Sequence, residues 1–200
     1  MKLVVLGNDD SYNELKNGLD HIDWINVNDP SALNNHEGVD AFFNLDEDAS
    51  QLDYSALLFP VFINSVIHPI GKNKKVIRIN GWKGFLEKTT WEIAGNVSTN
   101  AAAVLSVMNK KFILTADEPG FISARIIAMI INEAYFANGE NVSTEEEIDI
   151  AMKLGTNYPY GPFEWSKKIG LKNIYNLLIK LSMGDKKYSP APALSNSIIQ

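Results

Sequence analysis

The sequence predicts an α/β layer followed by an all-α domain, on three observations. Short apolar, β-branched runs recur up to Ile93, separated by polar stretches rich in glycine, proline and asparagine. From Asp117 the pattern changes to longer segments of helical period, most of them closed by a glycine. A chain of 200 residues can bury one large core or two small ones. The boundary falls at the change of period, with residues 1–116 as the α/β domain and residues 117–200 as the helical one.

Lys2 to Leu6 is a β-branched run ending at Gly7, the pattern of a buried strand entering a turn. Glu14 to Leu19 has room for a brief helix. Asp23 to Val27 reads as a second strand, Val39 to Asn44 as a third, and Ala56 to Asn64, interrupted by Pro60, as a fourth. Val76 to Ile79 and Thr89 to Ile93 are two more, and Thr99 to Met108 is an alanine-rich helix. Strands alternating with helical stretches argue for a largely parallel sheet. The connections are short for parallel crossovers, which usually take roughly a dozen residues or more.

In the second part, Pro119 suits a first helical turn, and the helix from Phe121 to Phe136 is apolar nearly all round, so it needs cover on several sides. Gly139 closes it. Ser143 and Glu146 have capping-box spacing for a helix ending at Gly155. Two more helices are expected at Phe163 to Ile169 and Leu171 to Met183. The final Ser189-Pro190-Ala191-Pro192-Ala193-Leu194 reads as extended, with little to order the residues beyond it.

Apolar residues make up 46% of the chain and charged ones 21%, an ordinary globular composition. A net charge of −6 with no basic stripe to neutralise phosphates argues against a nucleic-acid binder, so no nucleic-acid partner is expected. The lysines at Lys72, Lys74 and Lys75 read as a solvated loop. With no cysteine, disulfides, thiolate chemistry and zinc–sulfur sites are ruled out, and no other cluster has metal-ligand spacing. The apolar start, Met1 to Gly7, is too short for a signal peptide, and Phe121 to Ile131 falls short of the about 20 residues that span a bilayer. The expectation is a cytoplasmic protein with no membrane partner.

One set of residues is more specific. Asp117-Glu118-Pro119-Gly120-Phe121-Ile122, Arg125 and Asn132-Glu133-Ala134 are followed by Glu147-Ile148-Asp149 and Ala151-Met152-Lys153-Leu154-Gly155. Tyr158-Pro159, Gly161-Pro162-Phe163-Glu164, Gly170-Leu171, Pro190, Pro192 and Leu194 complete the series. In order and spacing this resembles the C-terminal domain of the 3-hydroxyacyl-CoA dehydrogenase family. The resemblance implies a Rossmann-like NAD-binding-type domain, here shortened, ahead of a helical dimerisation domain. It also implies a homodimer and an acyl-CoA-type ligand. Its matched positions are caps, turns and a buried helix, which speak for fold rather than chemistry.

In the family the first strand runs into Gly-x-Gly-x-x-Gly, which seats the NAD pyrophosphate on a helix N-terminus. Here the turn reads Gly7-Asn8-Asp9-Asp10-Ser11-Tyr12, with only the first glycine kept. Two carboxylates stand where an anion should bind, and each repels a phosphate by about 1 kcal/mol or more at short range. Asp29 has the spacing of the ribose-binding acid, but an aspartate before Pro30 is also the ordinary start of a turn, and that reading is favoured. The resemblance thus implies NAD as cofactor at Gly7 and Asp29, while the residues of the turn speak against it.

The family's chemistry is hydride transfer between a 3-hydroxyacyl carbon and NAD, with a histidine base, a glutamate beside it, and a serine and an asparagine holding the substrate oxygen. By the resemblance, Val76 to Ile93 aligns with the histidine-to-glutamate segment. The glutamate corresponds to Glu92, the histidine position to Asn80, the serine to Ser65 and the asparagine to Ala124. An amide does not titrate and a methyl group holds no oxygen. His68, before Pro69, is a turn residue more readily than a replacement base, and His21 and His36 have no acid placed beside them.

Three functions are compatible with this pattern. One is a catalytically impaired relative that binds an acyl-CoA-like ligand or a partner through its retained fold. The second is an active 3-hydroxyacyl-CoA (3-hydroxybutyryl-CoA) dehydrogenase of fatty-acid metabolism. The third is a purely structural homodimer. The losses at the glycine turn, Asn80 and Ala124 favour the first and third over the second.

Overall fold

A computed structural model describes residues 1–47, 49–71 and 76–199, so the lysine cluster at Lys72, Lys74 and Lys75 lies outside the described residues. The chain divides into two compact units, Met1–Phe121 and Ile122–Gln200.

The first unit is a seven-stranded sheet in the order β2-β1-β3-β4-β5-β6-β7. Its strands are β1 (Lys2–Leu6), β2 (Asp23–Val27), β3 (Ala41–Asn44), β4 (Val61–Asn64), β5 (Val76–Ile79), β6 (Thr90–Gly95) and β7 (Lys111–Leu114). All neighbours run parallel except β5 and β6, which are antiparallel. The crossovers are lean. Among the described residues of this unit only α1 (Asp9–Lys16) and α2 (Thr99–Val107) are α-helices, and the connections from β2 to β3 and from β3 to β4 carry 3-10 turns at Pro30–Asn35 and Ala49–Gln51.

Strand alternation builds a core on each face. Leu3, Val5, Phe43, Phe62, Ile77, Ile79 and Ile93 pack beneath α1 and α2, where Leu15, Val104 and Leu105 meet them. The intervening Val4, Leu6, Phe42, Val61, Ile63 and Val76 point the other way, against Leu33, Ala49, Tyr54 and Leu57 of the irregular crossovers. Phe43 stacks on Phe62 with centroids 4.7 Å apart, an offset aromatic pair inside the first of these cores.

The second unit contains α3 (Ser123–Gly139), α4 (Glu145–Thr156), α5 (Pro162–Ile169), α6 (Leu171–Ser182) and α7 (Pro192–Ile199). α3 is its hub and packs on each of the others. Ala124, Ile127, Ala128, Ile131 and Tyr135 are buried, whereas Ile122 and Ile126 are about half exposed at 49% and 52%.

Several expectations need correcting. The first helix begins at Asp9, because the Asn8 side chain accepts from the Ser11 amide and caps it there, and it ends at Lys16. β7 is an additional strand that the apolar pattern does not announce. Pro119 does not open a helix: Gly120 and Phe121 both have positive φ, and α3 starts only after them. The capping box is Thr144 with Glu147, and Ser143 adds a hydroxyl donated to the Glu147 carboxylate at 2.6 Å. The C-terminal segment is ordered as α7. Asn132 accepts from the Ala191 amide at 2.7 Å and donates to the Ser189 carbonyl at 3.0 Å, which fixes the entry to that helix. Among the described residues no helix is long and apolar enough to cross a membrane, and no group of acids and histidines is placed to hold a metal ion.

Candidate functional site

Three of the residues singled out in sequence come together at the carboxyl end of the sheet. β4 and β5 pair in parallel as Val61 with Val76 through Asn64 with Ile79. The Ser65 amide then donates to the Ile79 carbonyl at 3.5 Å, which carries the same register on to Ser65 beside Asn80. β5 and β6 pair antiparallel, with Ile77 opposite Gly95 and Ile79 opposite Ile93, so the next step places Asn80 opposite Glu92. Continued one residue past β4 and β5, the register sets Ser65 and Asn80 in a row with Glu92 of β6. Strand alternation sets that row on the face away from α1 and α2.

The row is partly committed to holding the loops in place. The Ser65 hydroxyl donates to the His68 carbonyl at 2.6 Å, so His68 enters through its backbone. Asn80 Oδ1 accepts from the Trp82 amide at 3.2 Å. Both Ser65 and Asn80 are buried, and Glu92 is half-buried. His21 lies elsewhere, with Nε2 3.0 Å from the Val107 carbonyl, and His36 ends the first 3-10 turn.

A pattern missed in sequence runs alongside. β3 and β4 each close on a buried asparagine, Asn44 and Asn64, and buried Asn80 directly follows β5. Asn44 Oδ1 accepts from the Asp46 amide and its Nδ2 donates to the Tyr54 hydroxyl at 2.8 Å. Asn64 Oδ1 accepts from the Gly81 amide at 3.0 Å and its Nδ2 donates to the Leu45 carbonyl at 3.3 Å. These amides pair strand-end backbone groups that burial would otherwise leave without water. Burial pushes the Tyr54 phenol up to about 12 and also raises the Asp46 carboxyl. The signal was an asparagine at the end of two successive strands and directly after the third.

Arg78, also overlooked, is fully buried on the same face as Asn80. Its Nη1 meets Asp117 Oδ1 at 2.6 Å, its Nη2 donates to the Glu118 carbonyl, and its guanidinium carbon lies 4.2 Å from the centre of the Phe121 ring. Asp117 also accepts from the Ile70 and Gly71 amides. Burial lowers the Arg78 pKa, Asp117 opposes that, and the net effect is downward. This cluster pins the segment after β7, including the strained positive φ of Phe121.

The turn after Gly7 sits where the strand order reverses, beside β1 and β3, the usual place for a ligand in such a sheet. Its residues do not fit a dinucleotide. A Cβ on Gly7 would lie 3.0 Å from the Leu45 Cβ, so the chain's own packing accounts for this glycine. At the start of α1 the Asn8 side chain occupies the Ser11 amide, and Asp9 and Asp10 fill the first turn. Asp10 pairs with Lys83 at 2.8 Å, which holds its carboxyl below the usual range. An incoming pyrophosphate would meet these acids at a dipole they already complement. Tyr12 packs edge-on against Trp24 at 6.3 Å, against the core under α1. Asp29 caps the first 3-10 turn, accepting from the Ser31 amide and hydroxyl, both at 2.8 Å, and those bonds lower its pKa.

In the helical unit, residues that carry the resemblance hold the fold. Asp149 is buried and accepts from the Phe163 and Glu164 amides at 2.8 and 3.1 Å, capping α5 in place of the missing side chain of Gly161. Any Cβ on Gly161 would run into Asp149. Ala124 is fully buried in α3.

Residues 120–199 match the family model of the 3-hydroxyacyl-CoA dehydrogenase C-terminal domain. The 3-hydroxyadipyl-CoA dehydrogenase of Escherichia coli (strain K12) is 39% identical over 118 residues, covering 52% of this chain and 25% of that protein. The probable 3-hydroxybutyryl-CoA dehydrogenase of Bacillus subtilis (strain 168) is 36% identical over 111 residues, covering 52% and 39%. The match therefore spans well under half the length of these relatives. Among solved structures, (S)-3-hydroxybutyryl-CoA dehydrogenase from Ralstonia eutropha superposes with a TM-score of 0.72 over 99% of this chain and 93% of that one, at 18% identity, a likeness of fold. The E. coli 3-hydroxybutyryl-CoA dehydrogenase structure is 35% identical with a TM-score of 0.52, covering 62% of this chain and 27% of that one. Residues 120–199 thus carry the C-terminal domain of the 3-hydroxyacyl-CoA dehydrogenases, and for the residues before them the likeness to solved structures is one of fold.

Proposed function

We propose that this chain is a catalytically impaired relative of the 3-hydroxyacyl-CoA dehydrogenases, which holds an acyl-CoA-type ligand without transferring hydride. The observation that carries this reading is that Ser65 and Asn80 directly follow β4 and β5, beside the part of β6 that holds Glu92, with an amide at the place of the base. An asparagine side chain donates to a carbonyl oxygen but takes no proton at neutral pH. The crowded, acidic start of α1 supports the second half of the reading, because hydride transfer requires a bound dinucleotide.

Two measurements test it. NADH fluorescence titration and acetoacetyl-CoA reduction are expected to give no saturable signal, and a clear saturable signal in both overturns the reading in favour of an active dehydrogenase. Acetoacetyl-CoA or CoA is expected to raise the thermal midpoint, since a ligand preferring the native state stabilises it. No rise with either favours a purely structural protein.

The protein is further proposed to form a homodimer through α3. Ile122, at the N-cap of α3, and Ile126, one helical turn on, remain about half exposed at 49% and 52%, a pair of large apolar side chains open at the start of the helix. Light scattering at micromolar concentration is expected to give twice the chain mass.

A further inference from the structure

We infer that Glu14 of α1 is a positioning residue for Asn80, acting through the loop of residues 81–88 whose backbone it holds. The consequence for a ligand rests on the acyl-CoA reading above, and the coupling of Glu14 to Asn80 does not.

Among the described residues between β5 and β6, none joins a helix or strand. The loop nevertheless buries Gly81, Trp82, Gly84 and Leu86, so its backbone groups need partners other than water. Two bonds come from within it, the Phe85 amide to the Trp82 carbonyl at 3.0 Å and the Lys88 amide to the Phe85 carbonyl at 3.2 Å. Charged side chains supply others. Glu14 Oε1 accepts from the Gly84 amide at 2.8 Å and from the Leu86 amide at 3.0 Å. On the carbonyl side, Lys110 Nζ donates to Leu86 and Lys88 at 2.8 and 2.9 Å, and Trp91 Nε1 donates to Leu86 at 3.2 Å. Leu86 thus has its amide on a carboxylate and its carbonyl on an ammonium. Burial lowers the Lys110 pKa, and Glu14 opposes that.

The same stretch sets the Asn80 side chain. Asn80 Oδ1 accepts from the Trp82 amide at 3.2 Å, and the Trp82 carbonyl accepts from Phe85, which lies between the two residues that Glu14 holds. A continuous run of bonds therefore leads from Glu14 to Asn80. With Oδ1 committed to Trp82, the loop decides where Nδ2, the donor for a ligand oxygen, is aimed. Lys83 also reaches α1, at Asp10, but that pair is open to water, with side-chain exposures of 52% and 75%, and holds the loop weakly.

Amide exchange followed by NMR on the full chain tests the coupling without a ligand. Glu14→Ala is expected to speed exchange at Gly84 and Leu86 roughly tenfold or more, since each loses a buried acceptor. The Trp82 amide is expected to follow by about threefold or more, because the loop that presents it to Asn80 has loosened. Phe43, in the central strand β3, is the reference and should not change. Glu14→Gln keeps an oxygen that accepts both amides, and all these rates are expected to stay within about threefold of the native chain. An unchanged Trp82 amide in Glu14→Ala overturns the inference, and so does an equal rise at Phe43, which would mean a weakened sheet. Failure of Glu14→Gln to restore Trp82 overturns it as well. Acetoacetyl-CoA separates the two readings. If it leaves the thermal midpoint of the native chain unmoved, the acyl-CoA reading fails and the exchange rates still decide for or against Glu14. If it raises that midpoint, Glu14→Ala is expected to lose about half of the rise or more and Glu14→Gln to keep it. A full rise in Glu14→Ala overturns the positioning role.

Discussion

Asn80 stands one register step from Ser65 and from Glu92, and its amide can donate to a substrate oxygen but cannot take the proton. Asn80→His puts a titrating group back into that row. Turnover of acetoacetyl-CoA with NADH is nevertheless expected to stay at background, because Asn8, Asp9 and Asp10 still occupy the turn at α1. Restored reduction by this one change would show that the turn does accept a dinucleotide. Next to Asn80, Gly81 makes the Asn64 interaction possible. A Cβ there would lie 2.6 Å from Asn64 Cγ and 2.8 Å from Oδ1. Gly81→Ala should displace the side chain that ties Leu45 to the Gly81 amide. The expected loss is about 1–3 kcal/mol, read as a lower urea midpoint. Arg78→Met should cost about 2–4 kcal/mol by the same measurement, somewhat under the full cost of a broken buried pair because Asp117 retains 26% exposure.

Local chemistry decides which elements are legible. Lys2 to Leu6, Asp23 to Val27 and Val76 to Ile79 are strands over the residues expected, since short apolar runs bounded by turn residues leave little latitude. β7 escapes notice because Lys111-Phe112-Ile113-Leu114 is short, exposed and close behind α2 in the chain. The true start of α1 is hidden because its first turn is entirely polar: the Asn8 cap and the acids set it, and no apolar period marks it. The capping box shifts by one residue, since Ser143 and Thr144 both offer hydroxyls ahead of three glutamates. Thr144 holds the Glu147 amide at 3.3 Å, and Glu147 reaches back to the Thr144 amide at 3.2 Å. Thr144→Ala should therefore cost about 1 kcal/mol in thermal or urea unfolding, and Ser143→Ala clearly less. The reverse order would make Ser143 the cap.

At the scale of the molecule, the family pattern is readable because residues such as Asn132, Asp149 and Gly161 each meet a backbone need that few alternatives satisfy. The row at Ser65, Asn80 and Glu92 can be named from sequence but not assembled, because only strand register puts the three side by side. The charge distribution gives a last expectation. Asp10, Asp29, Glu147, Glu164 and Asp185 are all held below their ordinary values, chiefly by Lys83, Ser31, Ser143, Lys153 and Lys187 respectively. For each, the folded chain binds protons less readily than the unfolded one, so the stabilisation is present above the ordinary carboxylate range and is lost as pH falls through the lowered values. Asp46, raised by burial, works in the opposite sense and is outnumbered. The thermal midpoint should hold level down to about pH 5 and then fall steadily toward about pH 3. These carboxylates are exposed, so salt should flatten the part owed to lysine partners. The part owed to Ser31 at Asp29, and to Ser143 and Thr144 at Glu147, should persist, because short hydrogen bonds are screened less. A midpoint that rises on acidification, or a slope that vanishes completely in about 1 M salt, where the screening length is shortest, would contradict this division between ion pairs and caps.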